Sequence, residues 1–146
     1  MELKTSEIVG VYKLLSDAKL TKMESSDKFK VIKMMRAMRP TSDEWDEFLK
    51  TVDEKLKKDN HDEIIEKARK WQQEGENTTL TNDEKVEINT YLVNFEKEKQ
   101  ECINDELKKN VPLEFEKLSE SAFEKLMDSN DWKVNEILEL ELVVKE

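Results

Sequence analysis

The sequence predicts a mainly α fold, a compact multi-helix domain with room for one short antiparallel β ribbon near its C-terminal end. Three observations lead there. Only two glycines, Gly10 and Gly75, and two prolines, Pro40 and Pro112, punctuate 146 residues, whereas a β sandwich needs turn residues about every 8 to 12 positions. Apolar residues recur at helical spacing along the chain. Capping boxes, a hydroxyl residue with glutamate three positions later, stand where helices would begin.

The first helix is expected after Thr5 or Ser6, with Ile8, Val11, Tyr12 and Leu15 on one face and an end near Leu20. A second follows Ser25 or Ser26, with Phe29, Ile32, Met35 and Met38 inward and Lys28, Lys30, Lys33, Arg36 and Arg39 on its flanks. Pro40 should stop it, because proline pushes the preceding residue out of helical geometry. Thr41 and Glu44 then form a capping box before Trp45, Phe48, Leu49, Val52 and Leu56. The polar stretch Lys57-Lys58-Asp59-Asn60 leaves open whether Ile64, Ala68 and Trp71 lie on a new helix or on a kinked continuation. Gly75 to Thr79 reads as a loop, and the Thr81/Glu84 capping box opens the longest helix, residues 82 to 109, with Ile88, Leu92, Phe95 and Cys102 inward.

Beyond Pro112 the pattern is mixed. Leu113 and Phe115 alternate with Glu114 and Glu116 as in a strand, and Ser119 can cap a helix carrying Ala122, Phe123, Leu126 and Met127. Residues 134 to 144 fit helix and strand alike, so residues 112–117 and 139–144 could pair as the antiparallel ribbon. The chain is then one domain, 1–146: a basic helical pair at 1–40, acidic helices at 41–110 and a closing segment at 111–146.

Net charge is −10, which disfavours direct nucleic-acid binding because phosphate attraction supplies most of that affinity. The charge is uneven: residues 1–40 carry nine Lys and Arg against five Asp and Glu, or +4, leaving −14 for the rest. No apolar run approaches the roughly 20 residues of a membrane-spanning helix, and Met1-Glu2-Leu3-Lys4 does not open like a signal peptide. The expected setting is cytoplasmic, without membrane contact.

Catalytic chemistry finds few parts. His61 is the sole histidine and Cys102 the sole cysteine, which leaves histidine-based metal sites, Cys-His pairs and Ser-His-Asp triads without a credible set of parts. His61, in a polar junction, is expected to be exposed, and Cys102 to be a core residue. Two isolated glycines cannot build a phosphate-binding loop. Asp128-Ser129-Asn130-Asp131, with Glu139 twelfth, starts like a calcium loop, but Lys133 stands where that loop turns on glycine, so it reads as a simple turn. Trp45, Trp71 and Trp132 read as core more than as a stacking platform.

Carboxylate pairs one helical turn apart, Glu63 with Glu66 and Glu84 with Glu87, could hold magnesium. In this they resemble the all-helical nucleoside-triphosphate pyrophosphohydrolases, although Glu87 stands where those enzymes usually have aspartate. A chain with 35 acidic residues also produces such pairs on a solvated face by chance, as Glu44 with Glu47 and Glu98 with Glu101 illustrate.

The order of elements, a short opening Met1-Glu2-Leu3-Lys4, a lysine-rich helix at Lys28-Phe29-Lys30-Val31-Ile32-Lys33, a long acidic helical pair and a capped closing segment, resembles small acidic helical proteins of unknown function encoded in prophages and tailed phages. The resemblance implies an assembly or accessory role through protein contacts. The expected function is a non-catalytic protein-interaction or assembly protein needing no cofactor. Its partner would be another protein, met at Lys30, Lys33, Met34 and Met38, since methionine clusters suit adaptable contacts. Two alternatives are the magnesium-dependent pyrophosphohydrolase and an acidic DNA mimic that occupies a DNA-binding protein.

Overall fold

The computed structural model describes residues 1–146. In chain order the elements are β1 (Glu2–Lys4), α1 (Thr5–Ser16), α2 (Ser25–Leu56), α3 (His61–Glu74), α4 (Asn82–Leu107), β2 (Asn110–Pro112), α5 (Glu120–Asp128) and α6 (Val134–Leu140), with 3-10 turns at Gly75–Asn77 and Glu141–Val143. The fold is mainly α, with one two-stranded antiparallel ribbon. The residues gather into two compact units, Met1–Glu47 with Glu106–Glu146, and Phe48–Asp105. The basic pair and the closing segment of the sequence therefore belong to the same unit.

The first unit holds a continuous apolar core. Ile8, Val11 and Leu15 enter it from α1, Val31, Met34 and Met38 from α2, Ala122, Phe123 and Leu126 from α5, and Leu140 from α6. Each such large side chain contributes about 1.5–3 kcal/mol on burial. Its β ribbon differs from the expected one: β2 pairs with β1, Leu3 opposite Val111, and not with residues 139–144. The Met1 amino group donates to the Leu113 carbonyl at 3.2 Å and the Leu113 N–H to the Met1 carbonyl at 2.9 Å. Residues 134–144 are free to be helical because the N-terminus satisfies β2, and α6 and its 3-10 extension occupy them. What remains of the proposed pairing is a single parallel bridge between Leu118 and Val144.

Pro40 does not end α2, which runs through it to Leu56. Val31, Met34, Met38 and Ser42 are buried and Trp45 half-buried. They stand at i, i+3, i+7, i+11 and i+14, a single inward stripe only if the helix continues past the proline. Burying Met34 and Met38 alone offsets the ~3 kcal/mol that an interior proline costs. The Thr41/Glu44 pattern therefore lies inside a helix, with Thr41 buried.

Ser119 caps α5 as its position predicts, accepting from the Ala122 N–H at 3.1 Å. At the other end of α5, Asn130 fastens the loop between α1 and α2. Its side-chain oxygen accepts from the Lys19 N–H at 2.8 Å, and its amide donates to the Lys19 and Leu126 carbonyls at 2.9 and 2.8 Å. The would-be calcium turn is thus a polar clasp.

In the second unit α2 ends at Leu56 and a separate α3 starts at His61, which resolves the kinked-helix alternative. Asn60 contributes its carbonyl, 3.1 Å from the Ile64 N–H, and no side-chain cap. Gly75 closes α3 at φ 57°, a conformation that side chains other than glycine's resist. The Thr81/Glu84 capping box is formed in both directions, Thr81 N–H to Glu84 Oε1 at 3.3 Å and Glu84 N–H to Thr81 Oγ1 at 3.2 Å. Only Val52, Ile64 and Ile88 are fully apolar and buried here, so this unit carries less hydrophobic stabilisation per residue than the first.

Replacing Asn130 with alanine removes three hydrogen bonds and leaves the Lys19 amide to water. The expected loss is about 1–3 kcal/mol of unfolding free energy, read as a lower urea midpoint at unchanged slope; an unaltered midpoint contradicts the clasp.

Candidate functional site

The four candidate magnesium ligands are engaged in another way. Glu63 Oε1 lies 3.4 Å from Lys67 Nζ, and Glu84 Oε2 lies 3.9 Å from the same ammonium. A lysine occupies the place a divalent cation would need, and Glu84 is also the capping residue of α4. Glu66 forms a two-point contact with Arg69, 3.1 Å to Nε and 2.5 Å to Nη2. Glu87 is exposed. Nowhere do three or more His, Cys, Asp or Glu side chains converge on a metal-sized site, so the magnesium tetrad read from the spacing is not assembled. The spacing placed each pair one turn apart correctly, but Lys67 and Arg69 at i+4 and i+3 supply the nearer partners.

The Arg69 guanidinium holds the Glu66 carboxyl below the ordinary carboxylate range, chiefly through the hydrogen bond, and Glu66 in turn raises Arg69. Lys57 is raised mainly by its hydrogen bond to Glu54, and Lys109 by its bond to Glu106. All are surface pairs, each worth little, and they interleave cations with the carboxylates of the acidic helices. Lys99 adds another, 3.0 Å from Asp53. A DNA mimic requires rows of carboxylates without such lysines.

His61 is half-buried, not exposed: its Nδ1 is 2.5 Å from the Tyr91 hydroxyl and its ring centroid 5.1 Å from that of Phe95. The contact joins the start of α3 to the middle of α4. Cys102 is half-buried with a free thiol. Trp71 lines an open depression of about 360 Å³ with Ala68, Gln72, Ile88, Asn89 and Leu92, and Lys85 Nζ stands 5.7 Å from its ring. Trp132 packs against the core of the first unit.

The partner surface expected at Lys30, Lys33, Met34 and Met38 is largely turned inward. Met34 and Met38 are fully buried in the core, and half-buried Lys30 is held 3.3 Å from Glu116 and 3.9 Å from Asp27. Only Lys33 faces solvent. The helix is rotated relative to the sequence reading: Phe29 and Ile32, expected inside, are 49% and 40% exposed. They form an outward stripe with Lys33, Arg36, Arg39 and Pro40, at i, i+3, i+4, i+7, i+10 and i+11. Lys33 Nζ sits 4.8 Å from the Phe29 ring centroid, Arg39 Nε is 3.8 Å from Asp43, and Arg36 has no ion pair. The sequence hid this face because two apolar series overlap on α2, and stopping the helix at Pro40 removed Ser42 and Trp45, the residues that identify the inward one.

Two further apolar features are open to solvent. On α6, Val134 and Leu138 are exposed, with a 450 Å³ depression bounded by Lys117, Leu142 and Lys145 beside Leu138. On α4, Val86 and Val93 are 63% and 65% exposed, the latter in a shallow 510 Å³ depression with Glu96, Lys97, Gln100 and Glu101. No helix is long and apolar enough to cross a membrane. Among known proteins, no family model, curated protein or solved structure matches the chain.

Two NMR titrations check the acidic face. Arg69→Ala should move the Glu66 carboxyl titration to higher pH, because its main stabilising partner is gone. The sign follows: a depressed carboxyl pKa makes the pair favourable at neutral pH and loses that contribution as pH falls through the Glu66 pKa. In the unaltered protein, Mg²⁺ should produce no saturable shift common to Glu63, Glu66, Glu84 and Glu87, and one shared saturation curve contradicts the lysine-bridged arrangement.

Proposed function

We propose that this protein is a non-catalytic interaction or assembly module and that the outer face of α2 is its docking surface. The observation that carries the reading is the exposure of Phe29 and Ile32 within a cationic frame of Lys33, Arg36 and Arg39. Two large apolar side chains on one exposed helix face cost hydration free energy when left in water, and burying them against a partner recovers about 25 cal/mol per Å² of apolar area. Phenylalanine and arginine are residue types enriched in interface cores. The cations define the partner's chemistry: an amphipathic protein helix with acidic flanks, whose carboxylates meet Lys33 and Arg36 while its apolar ridge covers Phe29 and Ile32. An assembly role also accords with the phage-protein resemblance of the element order. The pyrophosphohydrolase and DNA-mimic alternatives gain no comparable support, since lysines and an arginine stand among the carboxylates that each would need.

Binding of a fluorescein-labelled model helix, with leucines at i, i+3, i+4 and i+7 and glutamates on both flanks, tests this by anisotropy. The small contact should give a Kd on the order of tens of micromolar. Lys33→Glu with Arg36→Glu should weaken it about tenfold or more without lowering the melting temperature. A peptide with lysine flanks should not bind. Equal binding to the double variant, or none to the unaltered protein, removes the assignment.

A further inference from the structure

The outer face of α4 is chemically complementary to that of α2. Val86, Thr90, Val93, Lys97, Gln100 and Asn104 are all exposed and succeed one another at intervals of four and three residues. This is the spacing of a seam that faces a neighbouring helix, and it lies on the side opposite Ile88, Leu92 and Phe95. A helix that needed only its own unit would carry a single apolar stripe, whereas α4 leaves two exposed valines on its far side. Around them stand Asp83, Glu87, Glu96 and Glu101, with Lys97 the one cation in the stripe. Pairing two α4 faces would set glutamates against glutamates, and pairing two α2 faces would set Lys33 and Arg36 against their own kind. A basic, apolar α2 face against an acidic, apolar α4 face satisfies both.

Building on the docking role of α2, we propose that the acidic helix it receives is α4 of a second copy of this chain. Phe29 and Ile32 of one copy cover the Val86–Val93 ridge of the next, with Lys33 and Arg36 set toward Glu96 and Glu101. The contact is heterologous: each copy uses one face and offers the other, so association continues from copy to copy until it closes or lengthens. The α4 face is long enough to accommodate the α2 face. Phe29 to Pro40 spans about 17 Å of helix and Val86 to Glu101 about 23 Å, at roughly 1.5 Å per residue. Because the frame is charged, association weakens with salt.

Sedimentation velocity over a concentration series tests the pairing. The unaltered protein should gain mass with concentration, and less so at high salt. Ile32→Asn and Val93→Asn, both at exposed positions, should each remain monomeric with an unchanged circular dichroism melt. Mixed one to one, they should form a dimer, because the intact α2 face of the second meets the intact α4 face of the first. A monomer at every concentration overturns the inference, as does self-association of either variant alone or failure of the mixture to dimerise. If the chain stays monomeric yet binds the acidic model helix at α2, this inference falls and the docking role stands; loss of both removes the docking role too.

Discussion

The inward stripe of α2 sets the terms for the rest of the first unit. Val31, Met34 and Met38 reach the same core as Ile8 and Val11 of α1 and Leu126 of α5, and their packing fixes the rotation of α2 about its axis. Once Met34 and Met38 point inward, helical geometry leaves Phe29, Ile32, Lys33 and Arg36 to solvent. The same constraint carries the helix through Pro40, since Ser42 continues the stripe on the other side. The helix therefore has two faces: an uncharged one packed in the core, and an outer one on which Lys33, Arg36 and Arg39 stand exposed with Phe29 and Ile32.

The acidic part of the chain obeys a different balance. In residues 48–105 few apolar side chains are fully buried; the helices are bounded by the Thr81/Glu84 capping box and by Gly75 at the end of α3 and joined by the His61–Tyr91 contact, while surface ion pairs such as Lys99–Asp53 add little. Carboxylates on these helices find cations one turn away more readily than they find each other. That is why an abundance of glutamate brings no three such side chains together at metal-binding spacing, and why cations such as Lys67, Arg69 and Lys99 stand among the carboxylates.

Much of the fold was legible in the sequence where the signals are local. The starts of α1, α2, α4 and α5, the Ser119 and Thr81 caps and the polar break before α3 follow from side chains that act on their own backbone. Where the outcome depends on distant residues, local signals misled. Pro40 stops an isolated helix but not one whose buried stripe continues on both sides of it. The ribbon partner of β2 is Glu2–Lys4, about a hundred residues away in sequence, and Leu3 between two charged residues is too short a pattern to announce a strand. The rotation of α2 showed the same weakness: its two overlapping apolar series differ in phase by less than one turn. Only the packing partners decide between them.

Methionine oxidation under native conditions tests the rotation of α2 most directly, because thioether oxidation by peroxide follows exposure. Met1 is 48% exposed and serves as the internal reference, while Met34 and Met38 have no exposed surface. With the chain treated with hydrogen peroxide and sampled by mass spectrometry, Met1 should convert to the sulfoxide while Met34 and Met38 remain reduced. Oxidation of Met34 and Met38 at the rate of Met1 would place them on the surface, turn Phe29 and Ile32 inward and contradict the account.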